Sequence, residues 1–158
     1  MKSQRFRGVT RRTLLGMGSV AAFVAALPSQ VWALATRPAP AFGATDVDTV
    51  FSVLGSTPKH SDGIVFSVPD IAENGAVVPV KIEIDDTVLP GVSKLYVLVE
   101  KNPNPLAAVF GVPENTRPYV ETRVKVAQTC QLYAVAEADG QLFMVSRETK
   151  VTLGGCGG

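Results

Sequence analysis

Gln131-Leu132-Tyr133-Ala134-Val135-Ala136-Glu137-Ala138-Asp139-Gly140-Gln141-Leu142-Phe143-Met144-Val145-Ser146 is the stretch that decides the fold class. Two runs rich in apolar residues, 131–137 and 141–146, flank Asp139-Gly140, and a dipeptide of that kind between two such runs is a strong hairpin signal. Working outward, the same texture recurs. Tyr119 to Val126 alternates Val120, Val124 and Val126 with charged residues, and Lys94 to Glu100 is rich in Leu, Val and Tyr. In Val77 to Ile84, the residues Val80, Ile82 and Ile84 stand opposite Lys81, Glu83 and Asp85, the period-two pattern of a half-buried strand. Ile64 to Val68 is a further strand, and Thr149 to Leu153 is the last. Seven or so short strands with frequent turns in about 100 residues predict an all-β chain, an immunoglobulin-like β-sandwich. There is no internal repeat and no βαβ rhythm.

One short helix is expected ahead of the strands. Asp46 can cap it, Val47, Val50, Phe51 and Leu54 share one face at helical spacing, and Gly55 and Pro58 end it. Before it, Thr36 to Ala44 is rich in Pro and Ala and reads as a loose leader. The expected organisation is an export signal over 1–33, a flexible leader over 34–45, one domain over 46–153 and a flexible arm over 154–158.

The first twelve residues carry Lys2, Arg5, Arg7, Arg11 and Arg12 and no acid. A weakly apolar run follows from Leu14 to Leu27, broken by Gly16 and Gly18, and then comes Val31-Trp32-Ala33. This order of charge, apolar run and small-residue site is that of a cleaved export signal. A run of about 14 residues is too short for a bilayer, which takes roughly 20, so no stable membrane anchor is expected. Thr10-Arg11-Arg12-Thr13-Leu14-Leu15 reads as a twin-arginine signal in which Arg11 and Arg12 are the address. Cleavage is expected after Ala33, or after Ala35, with delivery to the periplasm.

The whole chain holds fifteen basic and fourteen acidic residues, a formal charge of +1. Loss of the signal removes five basic residues and no acid, so the exported chain stands at −4. With no basic stripe, nucleic-acid binding is not expected. What remains, about 125 residues, suits one domain with one core.

The chain ends Gly154-Gly155-Cys156-Gly157-Gly158. No side chain beside this cysteine can bury it, and glycine leaves the backbone unrestricted. A core cysteine has apolar neighbours instead. Cys156 reads as a reactive thiol on a tether that extends roughly 7–10 Å beyond Gly154. An exposed unpaired thiol is a liability in an oxidising compartment, which argues against an incidental tail. No basic residue lies closer in sequence than Lys150, and the terminal carboxylate nearby disfavours thiolate.

Other chemistry is scarce. His60, the only histidine, lies in the polar stretch Thr57 to Gly63, so neither a histidine metal site nor a Ser-His-Asp triad is supported. Asp85-Asp86 reads as the start of a turn, and Asn102-Pro103-Asn104-Pro105 as a rigid turn that could shape a partner-facing loop. No phosphate-binding glycine loop precedes a helix. Cys130 reads as a small, partly buried hydrophobe. A disulfide from it to Cys156 stays open at this point, and would tie down the arm. No catalytic residue, metal or cofactor is assigned.

Four stretches then carry a resemblance: Val151-Thr152-Leu153-Gly154-Gly155-Cys156-Gly157-Gly158, Glu73-Asn74-Gly75-Ala76-Val77-Val78-Pro79-Val80, Asn102-Pro103-Asn104-Pro105-Leu106-Ala107 and Tyr133-Ala134-Val135-Ala136-Glu137-Ala138-Asp139-Gly140. Together they resemble the SoxY family, sulfur-carrier subunits of bacterial thiosulfate oxidation, over nearly the whole exported chain. The resemblance implies an immunoglobulin-like fold, a periplasmic location and a heterodimer with SoxZ. It implies that Cys156 takes up thiosulfate as a thiosulfonate with the haem enzyme SoxAX, that SoxB releases sulfate to leave a persulfide, and that SoxCD, where present, oxidises the outer sulfur. Gly154, Gly155, Gly157 and Gly158 would form the carrier arm, and the chain would be a carrier rather than an enzyme. No family role passes to Cys130. Two other classes stand beside this one. A thiol-redox protein would use Cys156 and Cys130 as attacking and resolving thiols, though no Cys-x-x-Cys spacing supports it. An adhesion or binding module would be indifferent to alkylation of the thiol.

Overall fold

The computed structural model describes residues 38–152. The signal with Arg11 and Arg12, the start of the leader, and the arm with Gly154, Gly155, Cys156, Gly157 and Gly158 lie outside the described residues. Among the described residues two helices, α1 (Ala39–Phe42) and α2 (Val47–Leu54), precede nine strands. These are β1 (Lys59–His60), β2 (Ile64–Ser67), β3 (Ile71–Ala72), β4 (Val78–Ile84), β5 (Val92–Val99), β6 (Leu106–Gly111), β7 (Tyr119–Val124), β8 (Cys130–Ala138) and β9 (Gln141–Val151). They form two sheets. The larger runs β1-β9-β8-β5-β6, with β3 also paired to β9, and the smaller runs β2-β4-β7. No helix among the described residues is long and apolar enough to cross a membrane.

The hairpin at Asp139-Gly140 forms where the sequence places it. Asp139 has φ 51° and Gly140 φ 73°, and Ala138 pairs with Gln141 across the turn. A two-residue turn with both φ positive matches the right-handed twist of its strands, and Asp-Gly is among the pairs that adopt it at least cost.

Burial explains why some strands alternate and others do not. In β4, Val78, Val80, Ile82 and Ile84 are buried and the residues between them are not. The smaller sheet therefore buries one face, against the larger sheet. In β5 the run Leu95–Val99 is buried throughout. Leu95, Val97 and Val99 join the core between the sheets, whereas Tyr96 and Leu98 lie in a second cluster under the helices. A strand covered on both faces reads as a continuous apolar run.

Helix α2 forms as its sequence predicts. The Asp46 carboxylate accepts from the Thr49 N–H at 2.7 Å. Gly55 closes the helix at φ 94°, donating to the Phe51 and Ser52 carbonyls. Val50 is buried, and Phe51 meets the Tyr133 ring edge-on at 6.4 Å.

Four readings need correction. The later part of the leader is not loose: α1 lies there, Ala41 and Ala44 are buried, and the Asn104 amide donates to the Ala44 carbonyl at 3.4 Å. Small alanines fit closely over the helix-covered face of the larger sheet, a fit that Pro/Ala composition does not announce. Strand β6 was not foreseen, because Leu106-Ala107-Ala108-Val109-Phe110-Gly111 neither alternates nor is rich in β-branched residues. The two strands expected over 141–146 and 149–153 are one. Ser146, Arg147 and Glu148 continue the ladder opposite Tyr133, Leu132 and Gln131, and Arg147 Nε donates to the Phe66 carbonyl at 3.0 Å. Finally, Lys59 and His60 pair in parallel with Phe143 and Met144 of β9, although His60 stays exposed.

Candidate functional site

Strand β9 ends at Val151, four residues in sequence before Gly155 and the glycine-flanked Cys156. Here the chain is gripped from both sides. Strand β3 runs parallel to it, with Ile71 beside Lys150 and Ala72 beside Val151. The Lys150 N–H donates to the Asp70 carbonyl at 2.9 Å, and the Thr152 N–H donates to the Ala72 carbonyl at 3.2 Å. On the other side the Val151 N–H donates to Thr129 Oγ1 at 3.0 Å. Below them Thr149, the one buried polar residue among the described residues, donates its hydroxyl to the Pro69 carbonyl at 3.0 Å. Each successive residue from 149 to 152 is thus tied to a neighbouring segment, up to the last described residue.

The loops around this end of β9 are themselves braced. The Asn102 side chain donates to the Lys125 carbonyl at 2.7 Å and accepts from the Ala127 N–H at 3.1 Å. The Val126 N–H donates to the Gly75 carbonyl at 2.7 Å, and Asn74 Oδ1 accepts from the Ala76 N–H at 2.9 Å. The rigid Asn102–Pro105 turn and the Asn74-Gly75 turn, two of the stretches singled out in the sequence, therefore gather at the end of the sandwich where β9 finishes. The exposed Lys101, Lys125 and Lys150 belong to the same end, and no ion pair involves them among the described residues.

Cys156 and its four glycines follow in sequence, outside the described residues. Covalent geometry bounds the span from Thr152 to Cys156 at about 14 Å. Cys130 is within the described residues and is placed as a hydrophobe: 5% exposed, in the core between the sheets, on the β8 residue paired with Thr149. Burial pushes its thiol above the ordinary range, and the Glu100 carboxylate adds to this. Such a thiol is a poor nucleophile.

The rest of the described surface carries little chemistry. Among the described residues no cluster of His, Cys, Asp or Glu could hold a metal ion. His60 Nε2 meets only Asp62 Oδ1, at 3.1 Å, with both side chains exposed. Asp85 forms a turn, accepting from the Thr87 N–H and hydroxyl, as its sequence predicts. A cavity of about 810 Å³ is lined by Asp86, Ser93, Glu114, Asn115 and Arg117 among others, at the end of the sandwich away from the end of β9. What the sequence did not reveal is the clamp of Thr149, Thr129 and Asn102. A threonine in a strand and one at a loop end carry no signal of their own, and only the fold shows what they hold.

Comparison with known proteins places these features. The model of the family described as "Sulfur oxidation protein SoxY" matches residues 51–156, and so runs from helix α2 through the end of β9 to Cys156. No curated protein matches. Among solved structures, the sulfur carrier protein SoxY from Chlorobium limicola f thiosulfatophilum is similar, at 36% identity and TM-score 0.58, covering 67% of this chain and 94% of that one. An all-β sandwich whose matched region runs from α2 to the terminal cysteine identifies the chain as a member of the SoxY family of sulfur oxidation proteins.

Proposed function

We propose that this chain is a covalent carrier of sulfur intermediates in thiosulfate oxidation, with Cys156 as the point of attachment and Gly154, Gly155, Gly157 and Gly158 as the arm that presents it. The observation that carries the reading is the hydrogen-bonded end of β9. The fold ties β9 to its neighbours residue by residue as far as Thr152. A scaffold of that kind can position a tether that starts there. The family match, which ends at Cys156, supports the same assignment.

In loading, the Cys156 sulfur bonds to the outer sulfur of thiosulfate. Two electrons pass to the oxidising haem enzyme SoxAX, and the thiol proton is released. In the next step SoxB delivers water to the sulfonate sulfur. The sulfur–sulfur bond breaks, sulfate leaves, and a persulfide stays on Cys156. SoxCD, where the host has it, oxidises that outer sulfur while it remains attached. Thin glycine flanks suit entry into several unrelated active sites, and covalent attachment keeps intermediates from diffusing away. SoxZ is the stable partner. Export through Arg11 and Arg12 with cleavage near Ala33 puts the carrier in the periplasm. The buried position of Cys130 favours this reading over a two-thiol redox cycle, which needs both sulfurs to meet.

The test is thiosulfate turnover by a reconstituted system of this chain, SoxZ, SoxAX and SoxB. Cys156→Ser should abolish turnover and Cys130→Ala should retain it. Full turnover with Cys156→Ser would refute the carrier role.

A further inference from the structure

The last bond on one side of β9 is made by a side chain, at a point where the sheet has run out of backbone. The ladder between β8 and β9 ends with Cys130 beside Thr149, and β8 itself starts at Cys130. Counting on in the same register, Val151 would face Gln128, but the chain before Cys130 is bent away from the strand. The Val151 N–H is taken instead by Thr129 Oγ1, at 3.0 Å. Successive N–H groups of a strand point to opposite sides. Those of Lys150 and Thr152 point to β3, where the Asp70 and Ala72 carbonyls accept them. The Thr129 hydroxyl therefore holds β9 from the β8 side past the end of the ladder.

Thr129 is carried by the segment 125–129, and that segment is pinned. Asn102 donates to the Lys125 carbonyl at 2.7 Å and accepts from the Ala127 N–H at 3.1 Å. Between these two bonds Val126 is wholly buried, and its N–H donates to the Gly75 carbonyl at 2.7 Å. Asn102 sits in a turn closed by its own N–H on the Val99 carbonyl, with Pro103 next in the chain. A continuous path thus runs from Asn102 through 125–127 to Thr129, and from Thr129 to Val151. Fold stability does not explain this path. Thr129 is exposed, and water can replace either partner of its bond, so the hydroxyl adds little to the fold as a whole. What it fixes is the direction in which the chain leaves the sheet, at the last residue of β9.

We propose that Thr129 is a positioning residue for the carrier chemistry. It orients the start of the arm so that Cys156 is offered to the enzymes that load and unload it, and Asn102 acts through it. The inference rests on the carrier role of Cys156 proposed above. With the Val151 N–H released, β9 is held from the β3 side alone at this level, and the arm starts from a wider range of directions. Fewer copies are then poised to enter an active site at any moment. A smaller poised fraction lowers the apparent affinity of enzyme for carrier and leaves the chemistry after entry unchanged.

The test varies the concentration of the SoxZ complex of this chain in thiosulfate turnover with SoxAX and SoxB, and follows amide exchange in the same complex. Thr129→Val deletes the oxygen and keeps the branched shape. The Val151 amide should exchange roughly two- to fivefold faster, the range that one exposed hydrogen bond represents. KM for the carrier should rise by up to the same factor, with kcat unchanged and the melting temperature lowered by no more than about 3 °C. Thr129→Ser, which keeps the oxygen, should restore both exchange and KM. Asn102→Ala should raise KM as well, and adding Thr129→Val to it should raise KM no further, since both act on one bond. Unchanged exchange at Val151 overturns the proposal. So does faster exchange with KM unmoved, a fall in kcat at constant KM, failure of serine to rescue, or effects of the two substitutions that add. Cys156→Ser separates this inference from the reading beneath it. Turnover that survives Cys156→Ser refutes the carrier role and the positioning role together. Turnover lost in Cys156→Ser, with KM unmoved in Thr129→Val, overturns the positioning role alone.

Discussion

Thr149→Val tests whether the end of β9 is held as described. The substitution keeps the shape of the side chain and deletes the hydroxyl that donates to the Pro69 carbonyl at 3.0 Å. Thr149 is wholly buried, so water cannot replace the lost hydroxyl from its side. A carbonyl deprived of its partner in a buried setting costs about 1–3 kcal/mol. Pro69 itself is only half-buried, which places the cost at the lower end, and the added methyl recovers up to about 0.8 kcal/mol of apolar burial. The net loss is about 1 kcal/mol, or roughly 3–6 °C in melting temperature for a domain of this size. The effect should concentrate locally. The Lys150 and Thr152 amides, bonded to Asp70 and Ala72, should exchange about fivefold faster, the rate change that about 1 kcal/mol represents. Thermal denaturation and native-state hydrogen exchange measure both. An unchanged melting curve with unchanged exchange at 150 and 152 would refute the reasoning, since the hydroxyl would then hold nothing.

Three further expectations concern reactivity, pH and export. Titration of the native protein with a thiol reagent should find one fast thiol, Cys156, with Cys130 reacting only on unfolding; a fast thiol surviving in Cys156→Ser would contradict this. Burial by itself raises the Glu137 carboxyl, but bonds from Tyr96 and from Lys94 outweigh it and hold the group below its ordinary 4.5. The stability it contributes is therefore present above the ordinary glutamate range and is lost as pH falls through the depressed folded value. Glu137→Gln should flatten that acid limb, and an identical pH profile in the variant would count against it. Changing Arg11 and Arg12 to Lys should leave precursor in the cytoplasm, whereas periplasmic protein still beginning at Met1 would rule out the cleaved signal.

Much of this was legible in the residues because local chemistry and tertiary packing agree. Asp139-Gly140, the alternation of β4 and the Asp46 cap each specify a conformation that the fold uses unchanged. Strand β6 was not legible because its partly exposed, two-faced position demands no alternation, and α1 was missed because Ala41 is buried by close approach rather than by apolar size. Strand β9 was divided at Ser146-Arg147-Glu148, where polar residues read as a break; the ladder to β8 carries them through. At the site, the terminal cysteine was conspicuous from its glycines alone. The clamp at Thr149, Thr129 and Asn102 was invisible, because each acts on a segment 22 or more residues away.

The most direct test of the central claim is tandem mass spectrometry of the C-terminal peptide after incubation with thiosulfate and the oxidising haem partner. The carrier account predicts a thiosulfonate on Cys156, converted to a persulfide on the same residue once SoxB is added, with Cys130 unmodified throughout. An unmodified Cys156 in a system that is turning over thiosulfate, or the adducts on Cys130 instead, would contradict it.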